Sequence, residues 1–379
     1  MKTHERTRGL LRAPRLIWDV LARGRYSFVY DRMDITASHM GLGKRLNLLR
    51  SGANLLHRRL HPWSMPLHMQ FEMASTCNLR CPVCPTGRRE VKRGAPVLDP
   101  ALFERVLDEV GPYLLTASLW AWGEPLLHPR LDEILRLAGR YPMTTLLSTN
   151  GQRLADPRVQ EALRRHPPSQ LIVALDGITD ESNARFRVGA RLEPALDGVR
   201  QLAAWKRETK ARLPVLHMRT IVMKHNEHEL PLLDDFSRKN GFDVVSLRTL
   251  SIIDNPSPDQ MVSNLVPGQE AWQAYSYQDG ARVRRADFIC QQPFWFPTLL
   301  SDGTVVACEQ DCNAQHPLGT VTGQTSFRQI WRGEQARAVR KQIRDNGAQV
   351  SFCRNCPYAD RADTDCSVEL RRLAGEQVA

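Results

Sequence analysis

Three cysteines stand together in the stretch STCNLRCPVCPTG: Cys77, Cys81 and Cys84, separated by three residues and then by two. Thiolates at such spacing on one short loop can grip a metal centre. Two centres suit three sulfurs. A four-iron cubane binds three of its irons to them and keeps the fourth iron open for a small molecule; a zinc ion would borrow a distant fourth ligand. A disulfide framework fits poorly. The chain begins MKTHERTRGLLRAPR, without an apolar signal segment, so the nine cysteines are expected to stay reduced in a cytoplasmic protein.

The other six thiols lie late in the chain: Cys290, Cys308, Cys312, Cys353, Cys356 and Cys366. They can supply a second centre in two ways. Cys290, Cys308, Cys353 and Cys356 could close all four irons of a cubane, which suits electron transfer rather than ligand binding. Cys308, Cys312, Cys353 and Cys356 could instead form a zinc knot. In the first case Cys312 and Cys366 are spare. They are then inert small residues, or donors of a hydrogen atom to a substrate radical.

The elements that must position these thiols follow from periodicity. From Leu67 to Leu250 strand and helix patterns alternate: LHMQFEM, LLTASLWAW, MTTLLSTN, SQLIVALD, LPVLHMRTIVM and FDVVSLRTL read as six strands with five amphipathic helices between them. Such alternation implies a parallel sheet covered by helices, with chemistry at the C-terminal strand ends. Six units are too few for a closed eight-stranded barrel, so a partial (β/α)6 barrel is expected over residues 67–250. The first cysteine loop follows the first strand directly. Residues 251–285 are rich in Pro, Asn and Ser and read as a connector. Residues 286–379 form a small cysteine-rich α+β unit, with a strand pair turning at Asp302-Gly303 and one helix over FRQIWRGEQARAVRKQIR.

Charge separates the first segment from the rest. Of the net +11, residues 1–66 hold +9, from 13 Lys/Arg against 4 Asp/Glu. The barrel and the C-terminal unit together are therefore near neutral, which argues against a nucleic-acid groove. The 14-residue uncharged run from Val110 to Gly123 is too short to span a bilayer. Residues 1–66 interleave arginine with Leu, Ile, Trp and Tyr. LLRAPRLIWDVLARGRYSFVYDR and GKRLNLLRSGANLLHRRL both suit basic amphipathic helices. They are expected to cap the body or to touch an anionic membrane surface from the cytoplasmic side.

CNLRCPVC resembles the cluster loop of the radical S-adenosylmethionine (SAM) superfamily, whose fold is a partial barrel of six units. The resemblance implies a catalytic [4Fe–4S] cluster on Cys77, Cys81 and Cys84. SAM would bind the open iron and, on one-electron reduction, yield a 5′-deoxyadenosyl radical that takes hydrogen from a substrate. It implies further SAM-contacting positions at strand ends: Trp122, Gly123, Glu124 and Pro125, similar to a GGEP element with Trp for the first Gly; Ser148 and Asn150 of STNG; and Asp176 with Arg187. Arg187 resembles the residue that pairs with the methionine carboxylate. Val83 stands where many members carry an aromatic residue. The C-terminal unit resembles the SPASM and twitch auxiliary-cluster domains, with a single cluster on Cys290, Cys308, Cys353 and Cys356, because the later cysteines of the full pattern are reduced to Cys366. A reductant such as flavodoxin or ferredoxin is implied. The expected reaction is net oxidation, with epimerisation or peptide and partner-protein maturation as alternatives. A small molecule, lipid or glycan is the expected substrate in preference to a peptide. A non-catalytic zinc or iron–sulfur scaffold binding RNA or membrane is the reading from another class.

Overall fold

The computed structural model describes residues 14–30, 32–251, 265–274, 277–278, 281–282, 290–353, 356 and 367–373. The first basic stretch departs from the expected helix. Residues 14–21 are helical (α1), but Tyr26–Tyr30 (β1) and Met33–Ala37 (β2) form an antiparallel hairpin, with Phe28 opposite Ile35. The alternation in YSFVY carries the correction: Tyr26, Phe28 and Tyr30 share one face of the strand and turn it toward the protein. The second stretch is the helix α2, Leu42–His57.

The six expected strands are present: β3 (His68–Phe71), β4 (Thr116–Ser118), β5 (Thr144–Thr149), β6 (Gln170–Ala174), β7 (Val215–Val222) and β8 (Val244–Thr249). All five neighbouring pairs are parallel, in chain order. The crossovers carry α3 (Pro100–Val110), α4 (Leu131–Ala138), α5 (Pro157–Arg165), then α6 (Asp180–Phe186) with α7 (Leu192–Thr209), and α8 (Leu233–Asn240). Local signals fix their starts. Asp99 and Asp156 accept the backbone N–H two residues on, each followed by Pro at the first helical position. Thr179 and Ser182 form a reciprocal cap that opens α6, a short helix not expected from the pattern.

After a two-residue ladder of β9 (Tyr277–Gln278) and β10 (Ala281–Arg282), the C-terminal unit joins the same sheet. Thr298–Leu299 (β11) pairs parallel with β3, and Thr304–Val306 (β12) and Pro317–Thr320 (β13) extend the sheet antiparallel from there. Gly303 takes φ +88° at the expected turn. At the opposite edge Ser367–Arg372 (β14) runs antiparallel to β8. The result is a ten-stranded sheet in which the partial barrel has no bare edge. The expected single late helix is two, α9 (Phe327–Arg332) and α10 (Glu334–Asn346), because Gly333 between them is extended. From α10 the buried Arg340 donates to the carbonyls of Pro293, Leu60 and Trp331, which pins the end of the N-terminal segment to the C-terminal unit.

Both faces of the barrel strands are buried. Met69 and Phe71 belong to the core under the helices. The alternate residues face inward and pair with one another: His68 Nδ1 lies 2.7 Å from Thr116 Oγ1, His217 Nε2 2.7 Å from Ser246 Oγ. The hairpin covers this polar interior. Phe28 packs edge-on to His68 at 5.3 Å, Trp295 does so at 5.2 Å, and the Tyr30 hydroxyl reaches Ser118.

Burial holds His68 down to about 4, from an ordinary 6.5. The folded state therefore keeps this ring neutral while the unfolded chain protonates it. Stability is unaffected above pH 6.5 and falls as pH drops from 6.5 toward 4, by up to about 3 kcal/mol. His68→Gln should lose that part of the acid sensitivity. Urea midpoints at about pH 7 and about pH 4.5 should lie closer together in the variant than in the parent chain.

Candidate active site at the C-terminal strand ends

The cysteine loop leaves β3 and folds back over the mouth of the barrel. It is held by backbone packing that only glycine permits. A β-carbon on Gly87 would sit 2.5 Å from the Cys81 carbonyl oxygen, and one on Gly123 would collide with the Ala74 carbonyl and approach Thr76 O to 2.8 Å. The Glu124 N–H donates to Thr76 O at 2.9 Å, so the turn after β4 grips the residue just before Cys77.

Glu124 organises the floor. Its carboxylate is buried and accepts from Leu126 N, from Thr149 Oγ1 at 2.6 Å and from Asn150 N at 2.8 Å, so it locks the ends of β4 and β5 together. Burial raises its pKa, and those donors oppose the rise. Asn150 in turn reaches the cysteine loop: its Nδ2 donates to Asn78 Oδ1 at 2.8 Å and lies 3.6 Å from Cys77 Sγ. Pro125 opens the short turn that Glu124 caps. Asp176, fully buried at the end of β6, accepts from Ile221 N at 2.7 Å and pairs with Arg187 Nε at 2.7 Å. Burial pushes this carboxyl up, and the Arg187 charge pulls it back.

These groups meet around a cavity of about 330 Å³. Its wall includes Cys77, Cys81, Cys84, Trp122, Gly123, Glu124, Ser148, Asn150 and Arg187, so the structure brings together nearly all the residues expected from the motifs. Pro125 and Asp176 are the exceptions, and Pro125 serves the turn behind Glu124. Asp176 is fully buried. It stands behind the wall and positions Arg187, one edge of whose guanidinium it occupies. Val83 lines the cavity beside Phe186, an aromatic ring from α6. The Cys81 thiol is pushed up to about 12 by burial, and the Arg187 charge counters this. The site fits a cluster: three thiols on one loop, around a common cavity with a cation beside them.

Burial also raises Cys290, to about 11, and raises Cys308 well above the usual thiol range. Cys290, Cys308 and Cys356 lie close enough for the charges of Cys290 and Cys356 to act on Cys308, and Cys356 N donates to Cys353 O. Cys312 is buried and is not part of the cavity wall; Cys366 lies outside the described residues.

Two features escape the motifs. The Trp122 indole donates to Glu309 O, which ties the turn after β4 to the residue next to Cys308. A second cavity of about 280 Å³ shares Trp120, Arg219, Arg248 and Glu309 with the first, and runs past Cys308 to the aromatic face of the hairpin. No local signal in Arg219 or Arg248 marks them; only the barrel closes them on one space.

Residues 71–234 match the radical SAM superfamily, and residues 290–357 match an iron–sulfur cluster-binding domain, SPASM. Among solved structures, BtrN in complex with AdoMet and 2-DOIA is similar at 17% identity and a TM-score of 0.51, over 81% of this chain and 99% of its own. SuiB of Streptococcus suis bound to S-adenosylmethionine is similar at 15% identity and a TM-score of 0.57, over 85% of this chain and 82% of its own. At such identities the likeness is one of fold. Comparison with curated proteins gives no match.

The fit of Gly123 against the loop yields a test that leaves every cysteine in place. Gly123→Ala should displace Ala74 and Thr76 and cost the loop its cluster, a loss of about four irons per chain after anaerobic reconstitution. Iron and sulfide assays against the parent chain check this, and a variant with full iron would show that the loop tolerates the side chain.

Proposed function

Because the chain belongs to the radical SAM superfamily and carries a SPASM-type iron–sulfur domain, we propose that it oxidises a small molecule, lipid or glycan held between its two cysteine sets. The observation that carries this reading is the shared wall of the two cavities. Glu309, next to Cys308, borders the same space as Cys77, Cys81 and Cys84. When bound, the catalytic cluster supplies the electron that splits SAM to methionine and a 5′-deoxyadenosyl radical, and the auxiliary one offers an acceptor for an electron left on the substrate.

The chain's own groups do the rest. Cys77, Cys81 and Cys84 would hold the first cluster; Cys290, Cys308, Cys353 and Cys356 would hold a single auxiliary one. With SAM bound, Glu124 and Asn150 would serve its amino group and ribose, and the free edge of Arg187 its carboxylate. Asp176 keeps that guanidinium oriented. The hairpin closes the far side with Tyr26, Phe28 and Tyr30 and excludes water from the radical. A chamber of about 280 Å³ enclosed by rings suits a compact group, which favours a small molecule or one sugar of a glycan over a peptide segment. Oxidation removes one hydrogen atom to the 5′-deoxyadenosyl radical, then one proton and one electron. Epimerisation needs a thiol that returns a hydrogen atom, and Cys312 lies off the cavity wall. A one-electron donor of the flavodoxin or ferredoxin type would serve as reductant.

Reduced with dithionite, the holoenzyme should form 5′-deoxyadenosine from SAM, and the Cys77→Ala/Cys81→Ala/Cys84→Ala variant should form none while keeping the C-terminal iron. Mass spectrometry of a cell extract treated in deuterated water separates the reactions. Oxidation gives an ion two hydrogens lighter than its precursor; an ion of unchanged formula carrying one deuteron would overturn oxidation in favour of epimerisation.

A further inference from the structure

Helix α2 is built inside out. Its buried face carries Lys44, Asn47, Leu48, Ser51 and Asn54. Three of its four polar side chains bond to the body: Lys44 donates to the carbonyls of Leu114 and Pro142, Asn47 exchanges two hydrogen bonds with Met65, and Asn54 bonds Ser64 and Trp63. Burial lowers Lys44 to about 8. Leu42 and Leu46 face out instead, 65% and 39% exposed and one turn apart. Helix α1 does the same, leaving Leu16, Ile17, Trp18 and Leu21 exposed, Trp18 by 63%. Nine of the twelve large hydrophobics exposed among the described residues lie between Leu16 and Trp63. Arg45 fastens the two helices into one surface, donating to Leu21 O at 2.7 Å and to Met40 O at 2.6 Å.

Ordinary surface helices bury their apolar side, so two adjacent helices that present it need an apolar neighbour. The charges nearby say which. Arg15, Arg23, Arg25 and Arg50 are exposed around these residues, and the acid of α1, Asp19, is paired with Arg23 at 3.0 Å. A basic rim around Leu, Ile and Trp complements an anionic, apolar interface. Among the described residues no helix is long and apolar enough to cross a membrane, so the contact is peripheral.

We infer that α1 and the first turns of α2 dock the protein on an anionic lipid surface, with Trp18, Leu42 and Leu46 entering the head-group layer and the arginines lying on the phosphates. The hairpin that follows α1 also walls the chamber, so docking sets the substrate cavity next to the bilayer. The inference stands whatever the substrate proves to be.

The full-length holoenzyme, floated with vesicles, provides the test. It should bind vesicles containing phosphatidylglycerol at least roughly tenfold more than pure phosphatidylcholine, with binding falling as salt rises. Trp18→Gln/Leu42→Gln/Leu46→Gln changes only exposed positions. It should keep the parent's thermal midpoint and its 5′-deoxyadenosine yield while losing vesicle binding. Equal binding to both vesicle types, no binding to either, or undiminished binding by the variant would each overturn the proposal. So would a dimer that this variant dissolves, since the patch would then be covered by a second copy of the chain.

Discussion

One buried carboxylate stands where the three parts of the active centre meet. Glu72, at the end of β3, accepts two hydrogen bonds from one edge of Arg93, with Nε 2.9 Å from Oε2 and Nη2 3.3 Å from Oε1, and also accepts from Ser301 N at 3.1 Å. Arg93 closes the long excursion that carries the three cysteines, and Ser301 belongs to the turn between β11 and β12. A bidentate pair with almost no exposure on either side is sensitive to geometry, because breaking it leaves a charge without solvent. Position of the cysteine loop, of the first barrel strand and of the auxiliary hairpin is thereby one constraint rather than three. Asn313 reinforces it, bonding Lys92 N and Glu90 O.

The same economy shapes the interior. A barrel of six strands leaves a gap that an eight-stranded one would close. Here β11–β13 and β14 occupy the sheet edges, and the hairpin β1–β2 fills the bottom of the space with rings. What remains is a polar lumen whose walls come from segments far apart in sequence: His68 and Gln70 of β3, Arg219 of β7, Arg248 of β8 and Glu309 after β12. The catalytic cavity is the upper end of this lumen and the hairpin is its base.

Much of this was legible in the chain because it is local. Cysteine spacing, the motifs after each strand and the Asp99 cap all work over a few residues, and the period of alternation identifies the six strands. The polar positions in LHMQFEM show where that reading stops: alternation promises one wet face, whereas His68 and Gln70 line an interior cavity and Glu72 is buried against Arg93. Long-range pairing was not legible. Nothing in Thr298 or Leu299 announces β3 as its neighbour, and nothing in Arg187 shows that Asp176 takes one edge of its guanidinium. The hairpin was hidden by composition, since a segment rich in arginine and leucine reads as helix even where YSFVY alternates. In α2 the helical period was right and the side it buries was reversed, because Lys44, Asn47 and Asn54 find carbonyls that only the folded body supplies.

The edge pairing of β3 with β11 has a consequence for how the protein is made. The hydrogen bond from Ser301 to Glu72 spans 229 residues, and β3 meets β11 across a similar stretch. On the ribosome, the barrel strands emerge in order and pair one after another, but the first of them keeps an unsatisfied edge until the C-terminal hairpin is translated. Until then the cysteine loop lacks one of its anchors. Arrival of the C-terminal hairpin, rather than completion of the barrel, is the event that supplies this anchor.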